Sequence, residues 1–139
     1  MATVNRTVAT LRIGGDSIDP ATVSRLLGKE PTSSQVKGQE LIGRNTGHVR
    51  VAKTGMWRLE SADQVPGDLD AQIQELLAQL TPDLSIWRDL ASLHSIDLFC
   101  GLFMLQGNEG LTLSPDSLSA LGSRGIELGL DIYGELKDA

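Results

Sequence analysis

The feature that most restricts the fold of this sequence is a pattern that occurs twice, once near each end. In each copy an aliphatic residue, a capping residue and a proline precede an aliphatic residue and a leucine at helical spacing. The copies begin at Ile18-Asp19-Pro20 and at Leu113-Ser114-Pro115. A capping side chain followed by proline at the first helical position is typical of a helix start. Each copy therefore predicts a short helix, and the repeat reflects either two related halves or the separate reuse of a common helix start.

Each predicted helix lies between two segments that have the character of strands. In residues 3–13 and 126–133, successive side chains fall on two faces, one of which is more apolar than the other. Residues 95–105 are apolar on both faces. The first pattern predicts a strand with one buried face, and the second predicts a strand in the middle of a sheet. In the last strand we expect the aliphatic side chains to point inward, namely Ile126, Leu128, Leu130 and Ile132.

This order of elements predicts one α+β domain over residues 1–139, with two pseudo-repeated β-α-β halves at about 1–66 and 82–139. The expected architecture is ferredoxin-like, an antiparallel sheet of about four to six strands with helices packed mainly on one face. Residues 38–54 carry three glycines and no sustained periodicity. We expect a mobile loop there, with a hairpin piece at residues 49–52.

Several short motifs resemble a known family. They are Leu11-Arg12-Ile13 before Asp19-Pro20, then Pro31-Thr32, Lys37-Gly38, Thr54-Gly55-Met56-Trp57 and the closing Gly125-Ile126-Glu127-Leu128-Gly129-Leu130-Asp131-Ile132-Tyr133. Together they are similar to a family of small, mostly bacterial proteins called domain of unknown function 4279. The resemblance covers nearly the whole chain. It implies a compact α+β domain and supplies no activity.

Charge and cysteine content exclude several classes of protein. The net charge of −6 argues against nucleic-acid binding, which needs a basic surface. No apolar run is long enough to span a membrane, and the first residues lack the pattern of a secretion signal, so we expect a cytoplasmic protein without a membrane partner. The single cysteine cannot form an internal disulfide or a cysteine-based zinc site.

The acidic chain nevertheless has a basic segment. Residues 29–58 hold six lysines and arginines against two carboxylates. Of these, Arg44, Arg50 and Lys53 lie with His48 on the glycine-rich loop, where they could close over a small anionic ligand or dock an acidic protein surface. The alternatives are internal charge balance and a disordered insertion.

The remaining residues with reactive side chains do not form a recognisable catalytic or metal site. His48 and His94 have no second histidine at the spacing of a metal ligand. Cys100 lies in the most apolar strand, where cysteine behaves as a small hydrophobic residue. We therefore predict no catalytic residues, no metal and no cofactor. Whether the protein is an enzyme stays open, with the balance against it.

The face of the sheet opposite the aliphatic side chains is a second candidate site. Alternation places Phe99 and Phe103 there, in a polar frame that includes Arg12, Arg58 and Tyr133. Exposed apolar patches with polar rims are typical of interfaces and ligand grooves. The alternative is that a helix covers this face and both phenylalanines belong to the core.

These observations lead to two hypotheses of function. The first is a non-enzymatic binding or protein-interaction module, either a homodimer through the open sheet face or a binder of another protein in an immunity-like or regulatory role. The second is a small-anion-binding protein, or an enzyme that closes the basic loop over a ligand bearing phosphate or carboxylate.

Overall fold

The structure is a computed structural model that describes residues 2–134. The helices in this range are α1 (Pro20–Leu27), α2 (Leu69–Ala78), α3 (Leu84–Leu93) and α4 (Pro115–Ser123). The strands are β1 (Ala2–Thr3), β2 (Arg6–Gly15), β3 (Ser33–Gln35), β4 (Glu40–Ile42), β5 (Val49–Val51), β6 (Gly55–Glu60), β7 (Ser95–Phe103), β8 (Glu109–Gly110) and β9 (Glu127–Tyr133). Within residues 2–134, no helix has the length and apolar character needed to cross a membrane.

The two repeated motifs start helices α1 and α4, as predicted. The Asp19 side chain accepts a hydrogen bond from the Ala21 N–H, and the Ser114 side chain accepts one from the Ser117 N–H. Each bond satisfies one of the N–H groups that a helix start leaves without a partner. Helix α1 ends at Gly28, whose φ of 78° is a left-handed conformation that favours glycine.

Five strands form the main sheet, in the order β3-β6-β2-β7-β9. The pairs β3/β6, β6/β2 and β2/β7 are antiparallel, whereas β7 and β9 are parallel. Strands β7 and β9 can run parallel because the chain crosses back over the sheet through α4 between them.

The parallel pair corrects one part of the predicted architecture. The α+β class is confirmed, but the fully antiparallel ferredoxin-like sheet is wrong because the sheet is mixed. In the first half, β6 lies between β2 and β3, the two strands that flank α1. In the second half, β7 and β9 flank α4 and are direct neighbours. The two halves thus share a β-α-β order. They differ because another strand separates the two strands in the first half and none separates them in the second. Their common origin stays a prediction.

The hydrophobic core fills the space between one face of the sheet and the four helices. The inward side chains of β2, β6 and β7 and the apolar stripes of the helices belong to one buried cluster. Both tryptophans are fully buried, and each has a hydrogen-bond acceptor for its indole N–H: Ser24 Oγ at 3.0 Å for Trp57, and the Thr81 carbonyl at 2.8 Å for Trp87. Since the helices contact the sheet through this cluster, they leave its other face uncovered.

The last strand is less buried than its sequence predicts. Ile126 is buried and Leu128 is half-buried, but Leu130 and Ile132 are 47% and 57% exposed. Leu128, Leu130 and Ile132 lie on the expected inward side of the sheet, opposite Leu98, Cys100 and Leu102 of β7, but the core does not cover the last two. Because β9 is the outermost strand, the aliphatic face near its end extends beyond the cover of the helices.

The basic segment predicted as a loop contains a small hairpin. Strands β4 and β5 pair antiparallel, with Ile42 opposite Val49 and Leu41 opposite Arg50. The hairpin piece expected at residues 49–52 is therefore present, and its partner strand at Glu40–Ile42 was not predicted. The mobility of the segment stays a prediction.

Candidate functional site

The sheet face opposite the helices, called the open face below, collects five of the predicted site residues. The ladder places Arg12 on β2, Arg58 on β6 and Phe99, Phe103 and Tyr133 on β7 and β9. Residues paired across a sheet point to the same side, so these five side chains share one surface. The charged side chains on the same surface are those of Arg6, Glu60, Asp97, Glu127 and Asp131.

At one end of the open face, Phe103 lies between a cation and a second ring. The Arg6 Cζ atom lies 3.8 Å from the centroid of the Phe103 ring, and the Tyr133 ring stacks on Phe103 with centroids 4.7 Å apart and planes 3° from parallel. The register explains the contact, because Phe103 is opposite Arg6 on β2 and opposite Tyr133 on β9. Guanidinium and ring faces attract each other electrostatically, and the result is a stack of one arginine and two aromatic rings that spans three strands.

Both ends of this stack are held by carboxylates. Arg6 Nη1 donates to Asp63 Oδ2 at 2.6 Å, and the Tyr133 hydroxyl donates to Asp131 Oδ2 at 2.6 Å. The bond to Asp131, together with the negative charge, raises the pKa of Tyr133. The phenol therefore stays protonated and keeps its hydrogen bond well above neutral pH.

A second cluster lies further along β7. Arg12 Nε and Nη2 donate to Asp97 Oδ1 and Oδ2 at 2.8 and 2.6 Å, a bidentate pair, and Arg12 Cζ lies 4.5 Å from the centroid of the Phe99 ring. The hydrogen bonds to Asp97 raise the pKa of Arg12. Such a fork fixes the plane of the guanidinium, so Phe99 has a fixed cationic neighbour.

The open face keeps its aromatic side chains accessible. Phe99 is 37% exposed, Phe103 is half-buried under Arg6, and Tyr133 is exposed. Gly101 lies between the phenylalanines, and a Cβ there would come within 3.0 Å of Phe103 Cε2 and 3.2 Å of Val8 Cγ1. A larger residue would therefore displace the Phe103 ring. The alternative in which a helix covers both phenylalanines is wrong.

A cleft of about 500 Å³ lies at the connection between α3 and β7, beside the Arg12–Asp97 pair. His94, Ser95 and Glu127 are among the residues that line it. Ser95 Oγ donates to the Gly14 carbonyl at 3.3 Å, and His94 Nδ1 is buried without a hydrogen-bond partner within the described residues. The serine and the histidine are therefore not paired as nucleophile and base.

This cleft was not predicted from the sequence. His94 was interpreted only as a residue at a helix C-terminus, and it is indeed the C-cap of α3. A signal for the cleft was present in Gly14 and Gly15, since a Cβ at Gly15 would lie 2.8 Å from His94 Nδ1. The two glycines let the end of β2 approach the histidine, but that contact depends on β2 pairing with β7.

The four basic residues of the hairpin segment lie outside the five-stranded sheet, on or beside the separate pair β4/β5. Arg44, His48, Arg50 and Lys53 are exposed, and none of them forms a salt bridge with another described residue. None of them lines the cleft at β7. The predicted site residues thus fall on two parts of the fold, the aromatic ones on the five-stranded sheet and the basic ones on the hairpin segment.

The possible metal ligands and the single thiol are the remaining reactive groups of the described residues. Within residues 2–134 no group of three or more histidine, cysteine, aspartate and glutamate side chains could hold a metal ion. Burial raises the pKa of the Cys100 thiol to about 12, so very little of it is the nucleophilic thiolate at neutral pH.

Comparison with known proteins identifies the family of the chain. The family model described as a domain of unknown function (DUF4279) matches residues 4–135, and this confirms the resemblance predicted from the short motifs. No curated protein and no solved structure matches the chain.

Proposed function

We propose that this chain, which belongs to the family described as a domain of unknown function (DUF4279), is a non-enzymatic interaction module that binds a partner protein through its open face. The observation that carries the proposal is the stack of Arg6, Phe103 and Tyr133 on a face that no helix covers. Arginine and aromatic side chains dominate the binding energy of protein interfaces.

The charges of the open face favour a protein over a small anion. Arg12 and Arg6 already have carboxylate partners on the same chain, and Glu60, Glu127 and Asp131 add negative charge to the surface. An anion would meet these carboxylates. A protein surface of mixed charge can instead pair with both signs around an aromatic centre.

The fixed positions of the arginine and tyrosine side chains also lower the entropy cost of binding a partner. Both arginines that contact phenylalanine rings are fixed by hydrogen bonds to carboxylates, and Tyr133 is fixed by Asp131. Side chains that are ordered before a partner arrives lose less conformational entropy on binding. The immunity-like or regulatory role stays a prediction within this proposal.

Photo-crosslinking in cells of the source organism tests the proposal. A benzophenone amino acid replaces Phe99 on the open face or, as the control, Leu93 on α3, which is 72% exposed. We expect a discrete protein adduct from position 99 and none from position 93. The adduct is identified by mass spectrometry and then purified for binding measurements.

Quantitative binding decides whether the adduct reports function. Phe99→Ala and Tyr133→Ala should each weaken the affinity for the purified partner about tenfold or more, while Leu93→Ala leaves it unchanged. Equal affinity of all three variants would refute the proposal.

The basic hairpin supports a second candidate, the binding of a small ligand that carries phosphate or carboxylate, as a binder or as an enzyme. The observation in its favour is that Arg44, Arg50 and Lys53 are exposed and form no salt bridge with another described residue. Isothermal titration with inorganic phosphate and with citrate compares wild type with Arg50→Glu/Lys53→Glu. Binding that disappears in the double variant supports this candidate, and wild type that binds neither anion argues against it.

A further inference from the structure

Strand β9 has an outer edge that no strand occupies within the described residues. It is the last strand of the sheet, and its whole length from Glu127 to Tyr133 pairs with β7 on the inner side. The opposite edge of the sheet is the much shorter β3 (Ser33–Gln35), whose residues are polar. A long edge strand offers a row of backbone hydrogen-bonding groups to another strand.

The backbone hydrogen bonds show which residues of β9 face outward. The Tyr133 carbonyl accepts from the Met104 N–H at 3.1 Å, so the backbone of Tyr133 points toward β7. Because these groups alternate along a strand, Leu128, Leu130 and Ile132 direct their N–H and C=O groups away from β7. The residues with outward backbone groups are therefore the three aliphatic residues of the strand.

Two of these residues also have exposed side chains. Leu130 is 47% and Ile132 57% exposed, although both share the side of the sheet that carries the core. An edge that is long, aliphatic and free is a strong template for strand addition. Neither a proline nor a lysine interrupts β9, although natural proteins often use these residues to block such an edge.

We propose that a second copy of this chain pairs antiparallel with β9 about a two-fold axis at Leu130, so that the two sheets become one. In this register Leu130 is opposite the partner's Leu130, and Leu128 is opposite the partner's Ile132. Each opposed pair exchanges both backbone hydrogen bonds, since its backbone groups point outward in both copies. The aliphatic side chains left exposed in one copy then cover those of the other.

The charges of β9 favour this register over an axis at Gly129 or at Asp131. With the axis at Leu130, Glu127 is opposite the partner's Tyr133, and Asp131 is opposite the partner's Gly129. Moving the axis to Gly129 would place Glu127 opposite the partner's Asp131, and moving it to Asp131 would place two aspartates face to face. Like charges directly opposite each other destabilise a strand pair. Of these three registers, the one with the axis at Leu130 is therefore the most favourable.

This dimer is independent of the partner site on the open face. The proposed contact uses the edge and the helix side of β9, whereas the partner site uses the opposite face of the sheet. Pairing at β9 would join the open faces of the two copies along β9 into one surface. The dimer that was predicted through the open face is a different assembly, and variants separate the two.

Sedimentation of the full chain tests the edge. We expect the wild type to be a dimer, and Leu130→Lys to raise the dimer dissociation constant by at least about tenfold, because two lysines would then oppose each other. The control Leu93→Lys, on the exposed side of α3, should sediment as the wild type. Circular dichroism verifies that each variant is folded. A monomeric wild type, or a Leu130→Lys variant that dimerises as tightly as the wild type, would overturn the proposal.

Disulfide trapping tests the register with substitutions that keep the edge intact. Gly129→Cys mixed with Asp131→Cys should form a cross-linked dimer under mild oxidation, because residues opposite each other at such a position have Cα atoms about 4.5 Å apart. A Cβ at Gly129 meets only ordinary contacts, the nearest at 3.9 Å, so cysteine fits there. Each variant alone should cross-link far less. Efficient trapping by either variant alone, or none in the mixture, would refute the register.

Discussion

Thr7 and Gln72 hold each other by two hydrogen bonds in the interior of the protein. The Thr7 hydroxyl donates to Gln72 Oε1 at 2.7 Å, and Gln72 Nε2 donates to the Thr7 carbonyl at 2.9 Å. Both residues are buried, and Gln72 Nε2 also donates to the Ala62 carbonyl at 2.8 Å. This contact attaches α2 to the start of β2, the strand at the centre of the sheet.

Replacing Gln72 by leucine should destabilise the protein although leucine is more apolar. Leucine leaves the Thr7 hydroxyl without its acceptor and the Ala62 carbonyl without this donor, and an unsatisfied buried polar group costs about 1–3 kcal/mol. We expect a loss of that size in the free energy of unfolding from urea denaturation. Gln79→Leu, at an exposed position at the end of the same helix, should change it by less than about 0.5 kcal/mol. Equal stability of the two variants would contradict the assigned role of Gln72.

The contact between Trp57 and Ser24 should show the same kind of cost. Ser24 Oγ accepts from the buried indole N–H of Trp57 at 3.0 Å, and Ser24→Ala removes this acceptor from a buried hydrogen bond. We expect a loss of about 1–3 kcal/mol in the free energy of unfolding, measured by denaturation followed through tryptophan fluorescence. Ser92→Ala is the control, because its hydroxyl bond to the Asp89 carbonyl is exposed. Unchanged stability in Ser24→Ala would show that the indole finds another acceptor.

Local patterns predicted the elements better than their pairing. The starts of α1 and α4 depend on capping side chains within a few residues, and the apolar residues on both faces of β7 predicted a strand inside the sheet, where it pairs on both edges with β2 and β9. The parallel pairing of β7 with β9 depends on β9 lying directly beside β7 with no strand between them, which no segment specifies by itself. The exposure of Leu130 and Ile132 was missed for a related reason, since alternation indicates the side of a residue and not its depth.

For the candidate site, too, the sequence predicted the side of the sheet on which residues lie better than the contacts between strands. Alternation on β2 and β7 was sufficient to place Arg12, Phe99 and Phe103 on one face. The pairing of Phe103 with Arg6 and Tyr133 required the register across three strands. The cleft beside His94 could not be predicted, because its walls come from β2, α3 and the start of β9.

Acid should weaken the link between α2 and α4 through Asp70. The backbone N–H of Ser114 donates to Asp70 Oδ1 at 2.8 Å. This bond, with those from the Ser117 and Ser114 hydroxyls, lowers the pKa of Asp70. A carboxylate whose pKa is lower in the folded state stabilises the protein above its unfolded pKa, about 3.9, and loses that effect as the pH falls through the folded value.

The measurement compares unfolding of wild type and Asp70→Asn as a function of pH. We expect the wild type to be the more stable protein at neutral pH, and the difference to shrink as the pH falls below about 4. Glu75→Gln on the exposed side of the same helix is the matched control. A difference between wild type and Asp70→Asn that stays constant down to strongly acid pH would show that the charge of Asp70 does not stabilise the link.

The buried thiol should resist labelling in the native state. Burial raises the pKa of Cys100 to about 12, with a smaller contribution from the negative charge of Asp97. At pH 8 the thiolate fraction is then about one in ten thousand, and the side chain is enclosed by the core. We expect Ellman's reagent to react at once in guanidinium chloride and only at the rate of opening in buffer. Immediate labelling of the folded protein would mean that β7 is accessible on its helix side.

The stack at the end of the open face should behave as a coupled unit. In a double-mutant cycle of Arg6→Met and Phe103→Leu we expect a coupling energy of about 0.5–1 kcal/mol, because each single change removes the contact between guanidinium and ring. The cycle of Arg6→Met and Phe99→Leu is the control. Phe99 lies under Arg12 instead, and the two effects should add within about 0.5 kcal/mol. If the two cycles give equal coupling, Arg6 stabilises the face only through Asp63. The open face would then lack the fixed arginine–aromatic surface that the proposed partner site requires.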